Sequence, residues 1–253
     1  MQAVEQVRQL GRNDLKLFGR DSFLMFMWLF VVVISVVFRY GLPPLNTYLA
    51  ETGVLPSTTI SQSLADFYPL LVAFMAVFQG SLITGTIFGF ALLDEKDDNT
   101  IKAMLVTPMP FSRYLLFRIA VPTILAAFIV VAMVLFINQA LISLWQLILI
   151  SFGAALGAPI AVLFYGVFAE NKVQGFAYGK FVSIAGWIIL VGWFVPEPWQ
   201  WLFGLFPPFW ISKAYWMAYA GNGFWWIALI IGIILQLGTV WLLAKQFERV
   251  AHR

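Results

Sequence analysis

The chain has no cysteine and only one histidine, His252, beside its C-terminus. Without cysteine there is no disulfide, no thiol nucleophile and no thiolate-ligated metal, and a lone tail histidine makes no ligand set. Charge is scarce as well. Asp, Glu, Lys and Arg make up 11% of the 253 residues, where a soluble chain carries about 25%. No GxxxxGK[ST] stretch occurs, so the chain has no phosphate-binding loop with which to hydrolyse ATP. Apart from Arg118, the long apolar runs hold no charged residue. That argues against ion-coupled carriers and proton pumps, which need carboxylate or histidine relays inside the membrane. It also argues against intramembrane proteases, which need a Ser/His pair, paired aspartates or a metal motif. The expectation is a protein that is not an enzyme by itself and has no cofactor of its own.

What is present is apolar. Hydrophobic residues are 62% of the chain and the mean hydropathy is +0.89. Several uninterrupted runs reach the ~20 residues that a helix needs to cross a bilayer, and none shows the period-two alternation of a barrel strand. The fold class expected is all-α, a polytopic membrane protein forming a single domain over 1–253. Six spans are read at 22–40, 67–93, 113–137, 144–168, 179–195 and 224–244. Arg39 and Tyr40 are taken to close the first, and residues 169–180 to form a short polar connection. The second span is rich in small and hydroxylated residues from Gln79 to Gly89. Such residues let membrane helices approach closely, here most simply within the subunit.

Six spans place both termini on one side. Of the fifteen Lys and Arg residues, all but Arg39 and Lys213 fall at that side, so by the positive-inside rule both termini are cytoplasmic and the protein is a multi-pass protein of the cell membrane. Residues 3–20 read as an amphipathic helix lying in the interface. Arg8, Arg12 and Lys16 stand four apart on one face, toward anionic lipid headgroups. The basic start is too long for the n-region of a cleavable leader, and no small-residue cleavage site follows it. Nothing in the pattern points to nucleic acid.

The longest charged interruption, Asp94-Glu95-Lys96-Asp97-Asp98-Asn99-Thr100-Ile101-Lys102, lies between the second and third spans. It reads as a short helix of about residues 98–106. Asp97, Asp98 or Asn99 can cap its start, Ile101, Met104 and Leu105 give it one apolar face, and Pro108 forces Thr107 out of helical geometry. Arg113 and Arg118 follow. With no phosphate-binding loop in the chain, any energy for transport enters from a partner, and this helix is the natural docking point.

At the opposite side, seven of the eleven tryptophans lie between Trp193 and Trp226, the signature of a membrane–water interface. Pro207-Pro208 divides residues 196–223 into pieces too short to cross a bilayer. Two short re-entrant or interfacial helices are expected there, with Trp199, Trp201, Pro207, Pro208 and Trp210 forming an external gate.

The order Glu95, Thr100-Ile101, Met104-Leu105, Thr107-Pro108 and then Arg118 resembles the membrane subunit of ABC-2 type exporters. Their usual pattern is Glu-x-x-x-Gly-Thr-(Leu/Ile)-x-x-Leu-x-x-(Thr/Ser)-Pro followed by a Lys. Asn99 stands where that family more often has Gly, and Arg118 stands in the Lys place. With the topology above, the resemblance covers nearly the whole chain. It implies a type V exporter arrangement: an interfacial helix that also touches the ATPase, a coupling helix between spans two and three, and re-entrant helices before span six. The implied partners are a separate ABC ATPase subunit, which binds ATP and Mg, and a second copy or a similar permease subunit. The implied cargo is hydrophobic or amphipathic: a drug, as in the fluoroquinolone-type permeases, or a lipid, glycan or peptide. A non-transporting scaffold or sensor that recruits a cytoplasmic partner through the same loop is the rival reading.

Overall fold

The structure, a computed structural model, describes residues 11, 19–52, 63–98, 100 and 111–251. Among these residues the regular structure is entirely helical. Six helices are long and apolar enough to cross a membrane: α1 (Ser22–Thr52), α2 (Leu64–Asp97), α3 (Phe111–Ile137), α4 (Leu144–Phe168), α5 (Lys172–Phe194) and, after a short α6 (Pro207–Tyr219), α7 (Trp225–Ala251).

The start of α1 is fixed by Asp21. Its Oδ1 accepts the N–H of Phe23 at 2.9 Å and of Leu24 at 3.3 Å, which satisfies donors that a helix start leaves unpaired. The helix does not close at Arg39-Tyr40 as the sequence suggested. It runs on through Pro43-Pro44 to Thr52, although each proline removes a backbone donor. Three contacts support the extension. The Arg39 guanidinium donates to the Phe136 carbonyl and lies over the Phe136 ring, Asn46 accepts the Ala65 N–H at 3.1 Å, and Phe38 and Leu42 are buried.

The centre of the bundle is α2 packed on α4. Small residues bring the two backbones together. A Cβ on Gly85 would stand 2.4 Å from the Ala158 carbonyl oxygen, and one on Gly89 2.5 Å from the Tyr165 ring. Ser81 Oγ donates to the Ala154 carbonyl at 2.6 Å. Close approach and interhelical hydroxyl bonds are how membrane helices associate without a hydrophobic driving force between them. The stretch from Gln79 to Gly89 therefore packs within the subunit. Within α2, residues Ala73–Phe78 form a π-helical turn, and α4 is interrupted at Leu156, ahead of Pro159.

The polar connection expected at 169–180 is shorter, because α5 starts at Lys172. Asn171 caps it, accepting the Gln174 N–H at 3.0 Å, while Gln174 Oε1 accepts the Glu170 N–H at 3.0 Å. This reciprocal pair makes a helix start out of what reads as loop composition. After α5 a 3-10 turn, Trp199–Leu205, leads to α6, with Pro207 and Pro208 in its first turn. Proline is suited there, since the first helical N–H groups have no intrahelical acceptor. The chain then reverses at residues 220–224, and α6 packs along α7.

Candidate functional site

At the end of the bundle where α2 leaves and α3 begins, the charged residues gather into two ionic groups. In the first, Glu95 on the last turn of α2 forms a salt bridge with Arg118 on α3, and the Tyr114 hydroxyl donates to its other oxygen. Tyr114 and Arg118 lie four apart, so one face of α3 presents both. Both are 1% exposed, and the guanidinium also lies over the Tyr114 and Phe117 rings. In the second group Lys172 bridges two carboxylates, Asp21 at 2.7 Å and Asp94 at 2.7 Å. Burial works to raise the pKa of Asp21. The bond to Lys172 and the two backbone N–H bonds outweigh it and hold the carboxyl below the ordinary carboxylate range, so it is ionised at neutral pH.

Lys96 completes the arrangement. Its ammonium donates to the carbonyls of Gly166 at 2.8 Å and Ala169 at 2.7 Å, the negative end of the α4 dipole. The last turn of α2 is thereby bonded to the start of α3 and α5 and to the end of α4, and through Lys172 to Asp21 at the start of α1. The point where the chain leaves α2 is thus held by α1, α3, α4 and α5.

Glu95 belongs to the charged segment expected to dock a partner protein. Both its oxygens are instead taken by Arg118 and Tyr114 of its own chain. Asp94 and Lys96 likewise turn inward, and Asp97 Oδ2 lies 3.4 Å from the Lys172 N–H. Asp98, a candidate cap for the next helix, stands at the end of α2 as its C-cap, its N–H bonded to the Asp94 carbonyl at 2.9 Å. Of the described residues expected to dock a partner, Asp97, Asp98, Thr100 and Arg113 are exposed. Asn99, Ile101, Lys102, Met104, Leu105, Thr107 and Pro108 lie outside the described residues, as do Arg8, Arg12 and Lys16. The sequence reading missed Asp21, Tyr114 and Lys172. The i, i+4 spacing of Tyr114 and Arg118 was the available signal for one of them.

At the opposite end, the tryptophans expected to form a gate divide into two kinds. Trp210 is buried, its indole N–H donating to the Gly204 carbonyl at 2.9 Å, while Trp199 and Trp201 are exposed. The Trp201 and Trp210 rings meet at 5.1 Å. Lys213, one of the two cations read at this side, is buried on α6. Its ammonium bonds Glu197 and, at 3.0 Å, Gln200, which ties α6 to the turn after α5. Tyr215 donates to the Ala140 carbonyl at 2.7 Å, anchoring α6 to the α3–α4 connection. The start of α6 reaches inward: Phe206, Pro207 and Pro208 line the same cavity as Val77 and Phe78, midway along α2.

The family described as fluoroquinolones export permease protein Rv2686c-like matches residues 14–244. Two curated proteins of Mycobacterium tuberculosis are each 30% identical over 243 residues, 94% of this chain and 92% of the relative. They are the fluoroquinolones export permease protein MT2760 of strain CDC 1551 / Oshkosh and Rv2686c of strain ATCC 25618 / H37Rv. Six apolar helices in the structure and a match over most of the chain agree, and this chain belongs to the Rv2686c-like fluoroquinolones export permease family.

Proposed function

We propose that this membrane permease is the transmembrane half of an ATP-driven drug exporter, working with a separately encoded ABC ATPase and a second permease chain. The relatives named for fluoroquinolone export support a drug as cargo. The observation that carries the coupling is the mounting of the end of α2, where the α2–α3 loop begins. Asp94, Glu95 and Lys96 fasten the end of α2 to α3, α4 and α5 and, through Lys172, to Asp21 at the start of α1, so a push on that loop is delivered to the bundle and not lost in a hinge. On this reading the charged end is cytoplasmic, the loop holds the coupling helix, and the exposed Asp97, Asp98, Thr100 and Arg113 border the ATPase. At the far end α6 is a re-entrant half-helix, too short at 13 residues to cross a bilayer. Its Lys213–Glu197 latch and exposed tryptophans form the external gate.

The test is a charge reversal at the rim. Asp98→Lys with Arg113→Glu leaves both internal ion groups intact and replaces attraction by repulsion at the docking edge. The doubly changed permease is expected to insert normally, lose the ATPase on purification and lose drug efflux. Retention of both the partner and drug-stimulated ATP hydrolysis refutes the coupling assignment. Co-purification of a different cytoplasmic protein would favour the scaffold.

A further inference from the structure

The bundle holds a partly open cavity of about 360 Å³ midway along its helices, between α2, α4, α5, α7 and the start of α6. That volume lies in the range that holds drug-sized molecules. No charged side chain lines it, and its walls include the rings of Phe78, Phe164, Phe181 and Phe206. Four polar side chains also reach it. Three are committed to backbone carbonyls: Ser81 to Ala154 at 2.6 Å, Gln236 to Gly153 at 3.0 Å, and Thr239 to Leu235 at 2.8 Å. The fourth is Ser212, in the second turn of α6. It is fully buried, and its hydroxyl has no hydrogen-bond partner among the described residues. A buried hydroxyl without a partner costs stability unless something else satisfies it. The α5 wall is the thin one, since Phe181 is 68% exposed. The π-helical turn of α2 ends at this wall with Phe78, and such turns recur at functional sites.

We propose that this cavity is a binding site within the single subunit for an uncharged aromatic molecule. The ligand enters sideways from the bilayer past Phe181, stacks among the phenylalanines and hydrogen-bonds Ser212. An ionisable ligand enters only in its neutral form, because no countercharge is available and burying an unpaired charge is prohibitive. The pairing of a drug with the export cycle rests on the reading given above, but binding does not need the ATPase.

Purified permease without any ATPase is titrated with N-phenyl-1-naphthylamine, followed by energy transfer from the tryptophans. Anilinonaphthalene sulfonate, the same ring system carrying an anion, is the comparison. The neutral probe is expected to bind saturably at one site per chain, and the sulfonate at least ~100-fold more weakly. Ala161→Phe on α4 and Val182→Phe on α5 fill the cavity from opposite walls. Whichever remains monodisperse and helical should lose the neutral probe by tenfold or more. Ser212→Ala is expected to weaken the probe roughly 2- to 10-fold, the worth of one hydrogen bond, without lowering the stability of the empty protein. Equal binding of the sulfonate, unchanged binding in a folded cavity-filling variant, or no saturable binding because a lipid chain occupies the space each overturns the proposal. The two readings fail separately. A cavity-filling variant that still co-purifies with its ATPase isolates the site, and a permease that binds the probe but recruits no ATPase counts against export alone.

Discussion

Glu95 and Arg118 offer the sharpest probe of how the charged end is built. Arg118 is 1% exposed and the Glu95 side chain 17% exposed, so their pairing is more nearly a buried than a surface ion pair. Glu95→Leu leaves a buried guanidinium without its carboxylate, a loss of about 3–5 kcal/mol. Arg118→Met should cost less, roughly 1–3 kcal/mol, because Glu95 keeps the Tyr114 hydroxyl and some access to water. Replacing both by apolar side chains removes the desolvation penalty with the attraction, and such swaps are often neutral or better. The double variant is therefore expected within about 1 kcal/mol of wild type, well above the sum of the singles, giving an interaction energy of at least about 2 kcal/mol. The assay is reversible unfolding in mixed micelles of increasing SDS fraction, followed by helical circular dichroism. If each single change costs under about 1 kcal/mol and the two add, the pair is effectively a solvated surface contact, and the mounting argument fails. A double variant that is stable yet couples poorly to the ATPase would separate rigidity from stability.

Gly85→Val should abolish the monodisperse fold, since even a Cβ there meets the Ala158 backbone at 2.4 Å and 2.7 Å. Gly238→Ala, with nothing within 4 Å of its Cβ, should be silent, and size-exclusion profiles distinguish the two. The thermal stability gap between wild type and Asp21→Asn follows from the lowered pKa of Asp21. It should be constant from neutral pH down to about pH 5, shrink as pH falls through the ordinary carboxylate range and be gone below the depressed folded value. A gap that closes already near pH 6 would contradict this. Single cysteines at Ser57 and Lys102 test orientation with an impermeant thiol reagent on intact cells. Ser57 is expected to label and Lys102 to stay protected, and the reverse pattern would invert the topology.

Composition and run length alone determined the all-helical class and the six long apolar helices. The bilayer thickness converts directly into ~20 apolar residues, and that signal is local. The ABC-2 resemblance also rested on local order, from Glu95 to Arg118. What stayed hidden depended on distance in space. Nothing in the spacing of Asp21, Asp94 and Lys172 announces that an ammonium on α5 holds two carboxylates, one on α2 and one just before α1. Glu95 carries no mark that its partner is Arg118 and not a second protein. The same holds for α1, which continues past Arg39 because Phe136 and Ala65 supply contacts from far along the chain. A proline or a charge reads as a terminator in sequence, but tertiary partners can satisfy the groups it leaves open. The cavity is the clearest case. Its residues come from five helices, and an absence of atoms between them has no counterpart in any single stretch of sequence.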